Sequence, residues 1–162
     1  MGLARWSATS YPAAVTEVFF YHLEHQSLER VLPSLVERTL ERGWRAVVQA
    51  GSEERVEAID TLLWTYRDES FLPHAPDDEP GAARQPILLT TGFENANGAE
   101  ALFLVEGAEP GDLDGYARCV VLFDGADEAQ LAVARAQWSA IKAAGVSVSY
   151  WKQQVRGWEK QA

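Results

Sequence analysis

The sequence predicts a single α/β domain, and three observations lead to this prediction. The chain has 162 residues, of which 47% are hydrophobic and 23% charged, a length and composition typical of one globular domain. Short apolar runs rich in β-branched and aromatic residues alternate with longer stretches whose apolar residues recur at helical spacing. No internal repeat or low-complexity segment interrupts this alternation. Strands that alternate with helices in this way are typical of an α/β fold.

The first part of the chain predicts a β-α-β unit. Residues 17–23 form an apolar run with the length of a strand that is buried on both faces. Residues 27–43 carry one apolar helical stripe, although Pro33 lacks an N–H donor and either kinks this helix or marks its start. Gly43 is placed to end the helix as a C-terminal cap, and residues 44–50 follow as the second strand.

A second helix and a long loop follow. Ser52 is the expected N-cap, and the apolar stripe of this helix leaves Trp64 on the solvent side. An exposed tryptophan is a candidate interface anchor, although single exposed aromatic residues also occur without function. Residues 71–85 contain three prolines and an acidic cluster, and they predict a long surface loop. Further strands are predicted at residues 86–91, 101–105 and 117–123, a last helix at 127–144 and a last strand at 146–150.

The charge and the cysteine count disfavour several classes of protein. A formal net charge of −10 repels a phosphate backbone, so binding to nucleic acid would need a local basic patch. Cys119 is the single cysteine and has no partner for an internal disulfide. No apolar run approaches the roughly 18 residues that span a bilayer, and residues 1–10 lack the pattern of a signal peptide. These features predict a cytoplasmic protein with no membrane segment.

The sequence also lacks the motifs of common catalytic sites. It contains neither glycine-rich phosphate loop of α/β nucleotide-binding proteins, nor the Gly-x-Ser-x-Gly motif of hydrolases. His22, His25 and His74 lack the paired spacing of metal ligands. Cys119 lies in an apolar strand, where a thiol is usually inert. We therefore predict no catalytic residue, no bound metal and no cofactor.

The last predicted helix differs from the acidic background of the chain. Arg135 and Lys142 flank its apolar stripe, and Trp138 lies between them at spacings of three and four residues. A basic rim beside an aromatic face suits a short anionic peptide with a hydrophobic end, because charges orient the ligand while an apolar group is buried. The same pattern also fits an ordinary helix, in which Arg and Lys stems lie over the stripe and Trp138 belongs to the core. Periodicity leaves both interpretations open.

Three stretches of the sequence carry a resemblance to a known family. They are residues 35–48 (LVERTLERGWRAVV), 59–74 (IDTLLWTYRDESFLPH) and 134–145 (ARAQWSAIKAAG). The second stretch, a helix that ends in Leu-Trp and is followed by Ser-Phe-Leu-Pro-His, is the most specific of the three. On these stretches the sequence resembles the chi subunit of bacterial DNA polymerase III. With the order of strands, the resemblance covers residues 17–152.

The resemblance implies a doubly wound, Rossmann-like sheet with helices on both faces and no nucleotide-binding glycine loop. It places the domain at residues 17–152, between an N-terminal extension at 1–16 and a C-terminal tail at 153–162. The implied protein is a non-catalytic accessory subunit of the replicative DNA polymerase. The alternative is a small doubly wound α/β enzyme or nucleotide-binding domain, which the missing glycine loops disfavour.

The resemblance also implies the partners of this subunit. It would bridge the clamp loader to the acidic C-terminal tail of single-stranded-DNA-binding protein during DNA replication. It would be a monomer within a hetero-oligomer, would join the clamp loader through a psi subunit where one is present, and would contact DNA indirectly.

The residues of a tail-binding site are implied in the same way. The tail ends in Pro-Phe with a free carboxylate. Arg135 would pair with the carboxylates of the tail, Trp138 would line the pocket, and Lys142 would add positive charge. Trp64 and Phe71 would supply apolar contacts near the same surface.

Two residues depart from the family pattern and would weaken this site. Ser139 stands where members often carry a basic residue, and Asp124 adds a negative charge just before the helix. The tail at residues 153–162 carries Trp158 between two basic residues, so it either extends the site or packs back on the domain.

Overall fold

The structure of the chain is a computed structural model that describes residues 16–66 and 72–162. Residues 1–15 of the predicted N-terminal extension therefore lie outside the described residues. In chain order the elements are β1 (Glu17–Leu23), α1 (Leu28–Glu41), β2 (Ala46–Gln49), α2 (Glu53–Thr65), β3 (His74–Pro76), a short 3-10 helix (Ala82–Arg84), β4 (Ile87–Thr90), β5 (Ala101–Val105), β6 (Arg118–Asp124), α3 (Glu128–Ala143), β7 (Ser147–Gln153) and β8 (Trp158–Lys160).

The strands of the described residues form one sheet in the order β3-β4-β2-β5-β6-β1-β7-β8. Neighbouring strands are parallel, except that β7 and β8 form an antiparallel pair. α1 and α2 cover one face, where Leu32 and Ile59 are buried, and α3 covers the other face through Ala134. Helices on both faces of a mostly parallel sheet confirm the predicted doubly wound α/β fold.

The predicted helix signals are confirmed at α1 and α2. The side chain of Ser52 accepts a hydrogen bond from the N–H of Arg55 at 3.3 Å. Gly43 has a φ of 89°, the left-handed conformation that ends α1. α1 begins at Leu28 and runs through Pro33, so the alternative of a start near Pro33 is wrong. Burial of the apolar residues around this proline against the sheet offsets the hydrogen bond that it cannot donate.

The prediction of one surface loop at residues 71–85 is wrong for the part that forms β3. This strand pairs with β4 at the edge of the sheet, and the His74 side chain is fully buried with its Nε2 2.9 Å from Oδ1 of Asp60. Pro73 precedes the strand and Pro76 is its last residue, as an edge position allows, because a proline there removes no central ladder hydrogen bond. The prolines therefore led to the prediction of a loop where the structure has an edge strand.

The C-terminal residues return to the sheet. β7 extends to Gln153, beyond the predicted end of the last strand, and β8 pairs with it. Trp158 of β8 stacks on Tyr21 of β1 with ring centres 4.6 Å apart. The sequence left open whether the tail extends the site or packs back on the domain. Trp158 packs back on the domain.

Candidate peptide-binding groove

A groove lies between α3 and the strands that it covers. Asp127 begins the helix, because its side chain accepts a hydrogen bond from the N–H of Gln130 at 3.0 Å. The predicted apolar stripe is confirmed, since Ala134 is buried and its stripe neighbours pack against the same core layer. The groove has a volume of about 500 Å³. Its lining includes Phe20, His22, Arg135, Trp138, Ser139 and Tyr150.

Aromatic rings from three elements build one wall of the groove. Trp138 of α3 meets Phe20 of β1 with ring centres 5.5 Å apart and an interplanar angle of 73°. It meets Tyr150 of β7 at 6.0 Å and 74°. These edge-to-face contacts hold the indole in place while its half-buried surface lines the groove. Trp138 is therefore both a core residue and a wall of the groove, so the two interpretations of its position are compatible.

Two cations lie beside these rings. Arg135 is exposed and lines the groove directly. The Nζ atom of Lys142 lies 5.6 Å from the ring centre of Trp138. Burial raises the pKa of Tyr150 above its ordinary value, although the charge of Arg135 acts in the opposite direction. Arg135 and Trp138 thus line the groove, whereas Lys142 lies beside the Trp138 ring and is not part of the lining.

His22 and Tyr150 also line the groove, although the sequence did not predict either residue as part of a site. Nδ1 of His22 and Oη of Tyr150 lie 2.5 Å apart, in a hydrogen bond between the neighbouring strands β1 and β7. Burial lowers the pKa of His22, because desolvation disfavours the charged imidazolium. Gly125 permits this position, since a Cβ there would overlap the imidazole ring. The available signal was strand alternation, which places His22 on the same face of β1 as Phe20.

The two departures from the family pattern have different positions. Ser139 lines the groove, so it offers a hydroxyl where a second cation could stand. The side chain of Asp124 accepts a hydrogen bond from the N–H of Ala126 at 2.9 Å and lines a separate cavity at the turn between β1 and α1. The chain after β8 also reaches the groove, where the N–H of Tyr150 donates to the carbonyl oxygen of Ala162 at 3.1 Å.

The structure does not bring Trp64 to this groove. Trp64 is 56% exposed on α2, which covers the opposite face of the sheet from α3. Its ring centre lies 4.6 Å from that of His74 on β3, at the other edge of the sheet from β7 and β8. Phe71 lies outside the described residues. The sequence could not reveal this separation, because helical spacing identifies an exposed face without saying which face of the sheet the helix covers.

The turn between β1 and α1 is occupied by another part of the chain. The N–H groups of Glu24, His25 and Gln26 all donate to Oε1 of Gln153, at 3.0, 2.8 and 2.9 Å. Convergent N–H groups at such a turn bind phosphate in α/β nucleotide-binding proteins. The cavity beside the turn has a volume of about 280 Å³. Its lining includes four carboxylates, from Glu24, Glu29, Glu106 and Asp124. This turn is therefore unsuited to a nucleotide phosphate.

The described residues contain few reactive groups outside the groove. Burial raises the pKa of the Cys119 thiol to about 12, so the thiolate nucleophile is absent at neutral pH. No group of three or more His, Cys, Asp or Glu side chains in the described part of the chain is arranged to hold a metal ion. Over the same residues, no helix has the length and hydropathy needed to cross a membrane.

Comparison with known proteins connects this fold to one family. The family model for the DNA polymerase III chi subunit, HolC, matches residues 15–149. A probable DNA polymerase III subunit chi of Rickettsia prowazekii is 27% identical over 85 residues, so the match spans about half the length of that relative and 52% of this chain. A DNA polymerase III subunit chi of Pseudomonas aeruginosa is 25% identical over 111 residues, which cover 67% of this chain and 77% of the relative.

Proposed function

The chain belongs to the DNA polymerase III chi subunit family, and on this premise we propose that its α3 groove holds the acidic C-terminal tail of single-stranded-DNA-binding protein. In this role the chain is a non-catalytic accessory subunit of the polymerase holoenzyme. It tethers the clamp loader, through a psi subunit where one is present, to DNA that the binding protein already covers. The observation that carries the proposal is the position of Arg135 beside the Trp138 ring at an open, largely aromatic groove.

The chemistry of the groove suits a ligand with carboxylates and an aromatic end. The Arg135 guanidinium can bind a carboxylate through two parallel hydrogen bonds, and Lys142 adds a second positive charge next to the same indole ring. The rings of Phe20, Trp138 and Tyr150 offer edges and faces against which a terminal phenylalanine can pack. The groove therefore suits both the carboxylates and the terminal aromatic ring of the proposed ligand.

The overall charge of the chain sets the expected strength of binding. A net charge of −10 repels an acidic tail at long range, so attraction depends on the two cations at short range and weakens as salt screens them. A disordered tail also loses conformational entropy when it docks. We expect modest affinity, which suits a tether that is released and formed again while the effective local concentration stays high.

Fluorescence anisotropy of a labelled peptide tests this proposal. The peptide carries the acidic tail and ends in Pro-Phe with a free carboxylate, and it is titrated with wild type and Arg135→Ala at two salt concentrations. Loss of a charge-assisted hydrogen bond of about 1.5–3 kcal/mol predicts at least tenfold weaker binding by Arg135→Ala. The matched control is Arg30→Ala, because Arg30 is exposed on α1 and makes the same change in net charge.

Three outcomes would contradict the proposal. They are no binding by wild type, equal weakening by both variants, and binding that is insensitive to salt. An indirect contact with DNA also predicts that naked single-stranded DNA does not bind at physiological salt. A gel shift by the chain alone under that condition would overturn this part of the proposal.

A further inference from the structure

A second, smaller cavity lies under α1 near the amino ends of β5 and β6. It has a volume of about 240 Å³. Arg38 reaches it from the last turn of α1, Arg42 from the C-cap residue that follows this helix, and Arg118 from the first position of β6. Leu35, Phe103 and Val120 contribute apolar surface to its lining. Three guanidinium groups thus meet beside an apolar floor, on the opposite face of the sheet from the α3 groove.

These arginines have no ion pair with a carboxylate of the described residues, although their guanidinium groups line one cavity. Arg55, in contrast, forms an ion pair in which its Nε atom lies 2.7 Å from Oε1 of Glu106. Within residues 16–66 and 72–162, no carboxylate forms an ion pair with Arg38, Arg42 or Arg118. The Nε atom of Arg118 is buried and has no hydrogen-bond partner. Three uncompensated cations in a chain of net charge −10 are a site to which an anion would add the missing partner.

Aromatic rings at the cavity are already covered on their faces. The guanidinium carbon of Arg42 lies 4.0 Å from the ring centre of Trp44, and that of Arg118 lies 5.4 Å from it. Tyr21 is stacked on Trp158, with ring centres 4.6 Å apart and an interplanar angle of 24°. Since stacking of bases on free aromatic faces is a main source of single-strand binding, these rings do not favour a nucleic acid. What remains available is guanidinium donors and a small apolar floor.

From this combination we propose a second binding site, in which the cavity takes an acidic peptide segment of a partner protein. Carboxylates of the segment pair with Arg38, Arg42 and Arg118, and one apolar side chain next to them enters the cavity. Charge complementarity selects the ligand, because planar guanidinium groups match carboxylates and the floor excludes a fully hydrated ion. The site lies on the other face of the sheet from the α3 groove, so both can be occupied at once, and it does not depend on the proposed function of that groove.

Nuclear magnetic resonance tests this site in the Arg135→Ala background, which removes the main cation of the α3 groove. The probe is a short peptide of Asp and Glu with one central Leu, capped at both ends so that it has no terminal carboxylate. We expect saturable shifts of the Trp44 indole resonance that weaken as salt increases. Adding Arg38→Ala and Arg42→Ala should weaken binding about tenfold or more, because both side chains are exposed and their loss spares the core. Adding Arg30→Ala instead removes one charge from the same helix and should leave the binding within about twofold.

Several results would overturn the assignment. The Trp44 resonance could remain unchanged at saturating peptide, or Arg30→Ala could weaken binding as much as the double substitution. Stronger shifts with a single-stranded oligonucleotide than with the peptide would assign phosphate instead of carboxylate recognition. Melting temperatures of all variants are compared with the background protein, so that lost binding is read from folded protein. A failure of this experiment leaves the anisotropy test of the α3 groove unaffected, because that test uses the intact Arg135 and a different peptide.

Discussion

The α3 groove and the turn between β1 and α1 both lie beside β1, yet they have opposite character. The turn is closed by the Gln153 carboxamide, and four carboxylates line the cavity next to it. The groove is open and aromatic, it presents Arg135, and no Asp or Glu side chain of the described residues lines it. The carboxylates at the turn repel anions, whereas the groove carries the cation on which the proposed tail binding depends.

This difference shows that a protein can keep a doubly wound fold without keeping the ligand site that is customary for that fold. Doubly wound folds commonly bind ligands at the carboxyl ends of their strands, where backbone N–H groups remain free for phosphate. Here Oε1 of Gln153, at the end of β7, accepts hydrogen bonds from the three N–H groups of residues 24–26. The position where such folds bind phosphate is therefore filled by a side chain of the same protein. The proposed binding of an acidic tail depends instead on the groove between α3 and the sheet, where side chains rather than the backbone provide the positive charge.

Substitution of Phe20 should have the largest effect, because it removes a buried ring from the aromatic wall of the groove and leaves the turn intact. Phe20 is 1% exposed and lies under Trp138. Phe20→Ala should lower the free energy of unfolding by about 3–5 kcal/mol, as loss of a buried phenylalanine leaves a cavity. Phe93→Ala is the matched control, since Phe93 is 65% exposed and its loss should cost less than about 1 kcal/mol. Chemical denaturation measures both values, and similar losses would contradict the assigned role of Phe20 in the core.

Substitution of Gln153 should have an intermediate effect and act on the turn alone. Gln153→Ala leaves the N–H groups of residues 24–26 without their shared acceptor, and water can replace it only in part because Gln153 is buried. The expected loss is about 1–3 kcal/mol, with faster hydrogen exchange at those three amides. The neighbouring Gln154→Ala serves as control, since the side-chain hydrogen bonds to the turn among the described residues come from Gln153 and not from Gln154. Unchanged exchange in Gln153→Ala would show that the carboxamide does not hold the turn.

The smallest effect concerns the pH dependence of stability at the groove. Burial lowers the pKa of His22 below its ordinary value of 6.5, so the unfolded chain binds a proton before the folded chain does. Above about pH 6.5 both states are neutral at this residue and it adds no pH dependence, whereas below it the free energy of unfolding falls with falling pH. His22→Gln should reduce this fall below about pH 6.5 in thermal melts. A fall of the same size in His22→Gln and in wild type would contradict the role of burial.

Sequence patterns predicted the order of the elements well, for reasons that particular residues make clear. The strand at residues 17–23 coincides with β1, and the helix from Asp127 coincides with the N-cap of α3, because a long apolar period and a capping side chain are local signals. β3 escaped prediction, since Pro73 and Pro76 are compatible with a strand only at the edge of a sheet. Which strand forms that edge depends on pairing between residues far apart in the chain.

The candidate site divides in the same way. Arg135, Trp138 and Lys142 could be grouped from the sequence, because residues three and four apart share one face of a helix. His22 and Tyr150 could not be added to them, since their hydrogen bond depends on β1 and β7 lying side by side. Trp64 could not be separated from them either, because the face of the sheet that α2 covers follows from how the chain crosses over between strands.

The sequence by itself therefore determined the α/β alternation, the helix caps and the basic, aromatic face of α3, because each depends on the spacing of neighbouring residues. Only the tertiary structure decided that Gln153 closes the turn after β1, that Arg38, Arg42 and Arg118 meet in one cavity, and that Trp64 lies far from the groove. The physical reason is that strand order and the choice of face bring distant residues into contact, and no local periodicity carries that information.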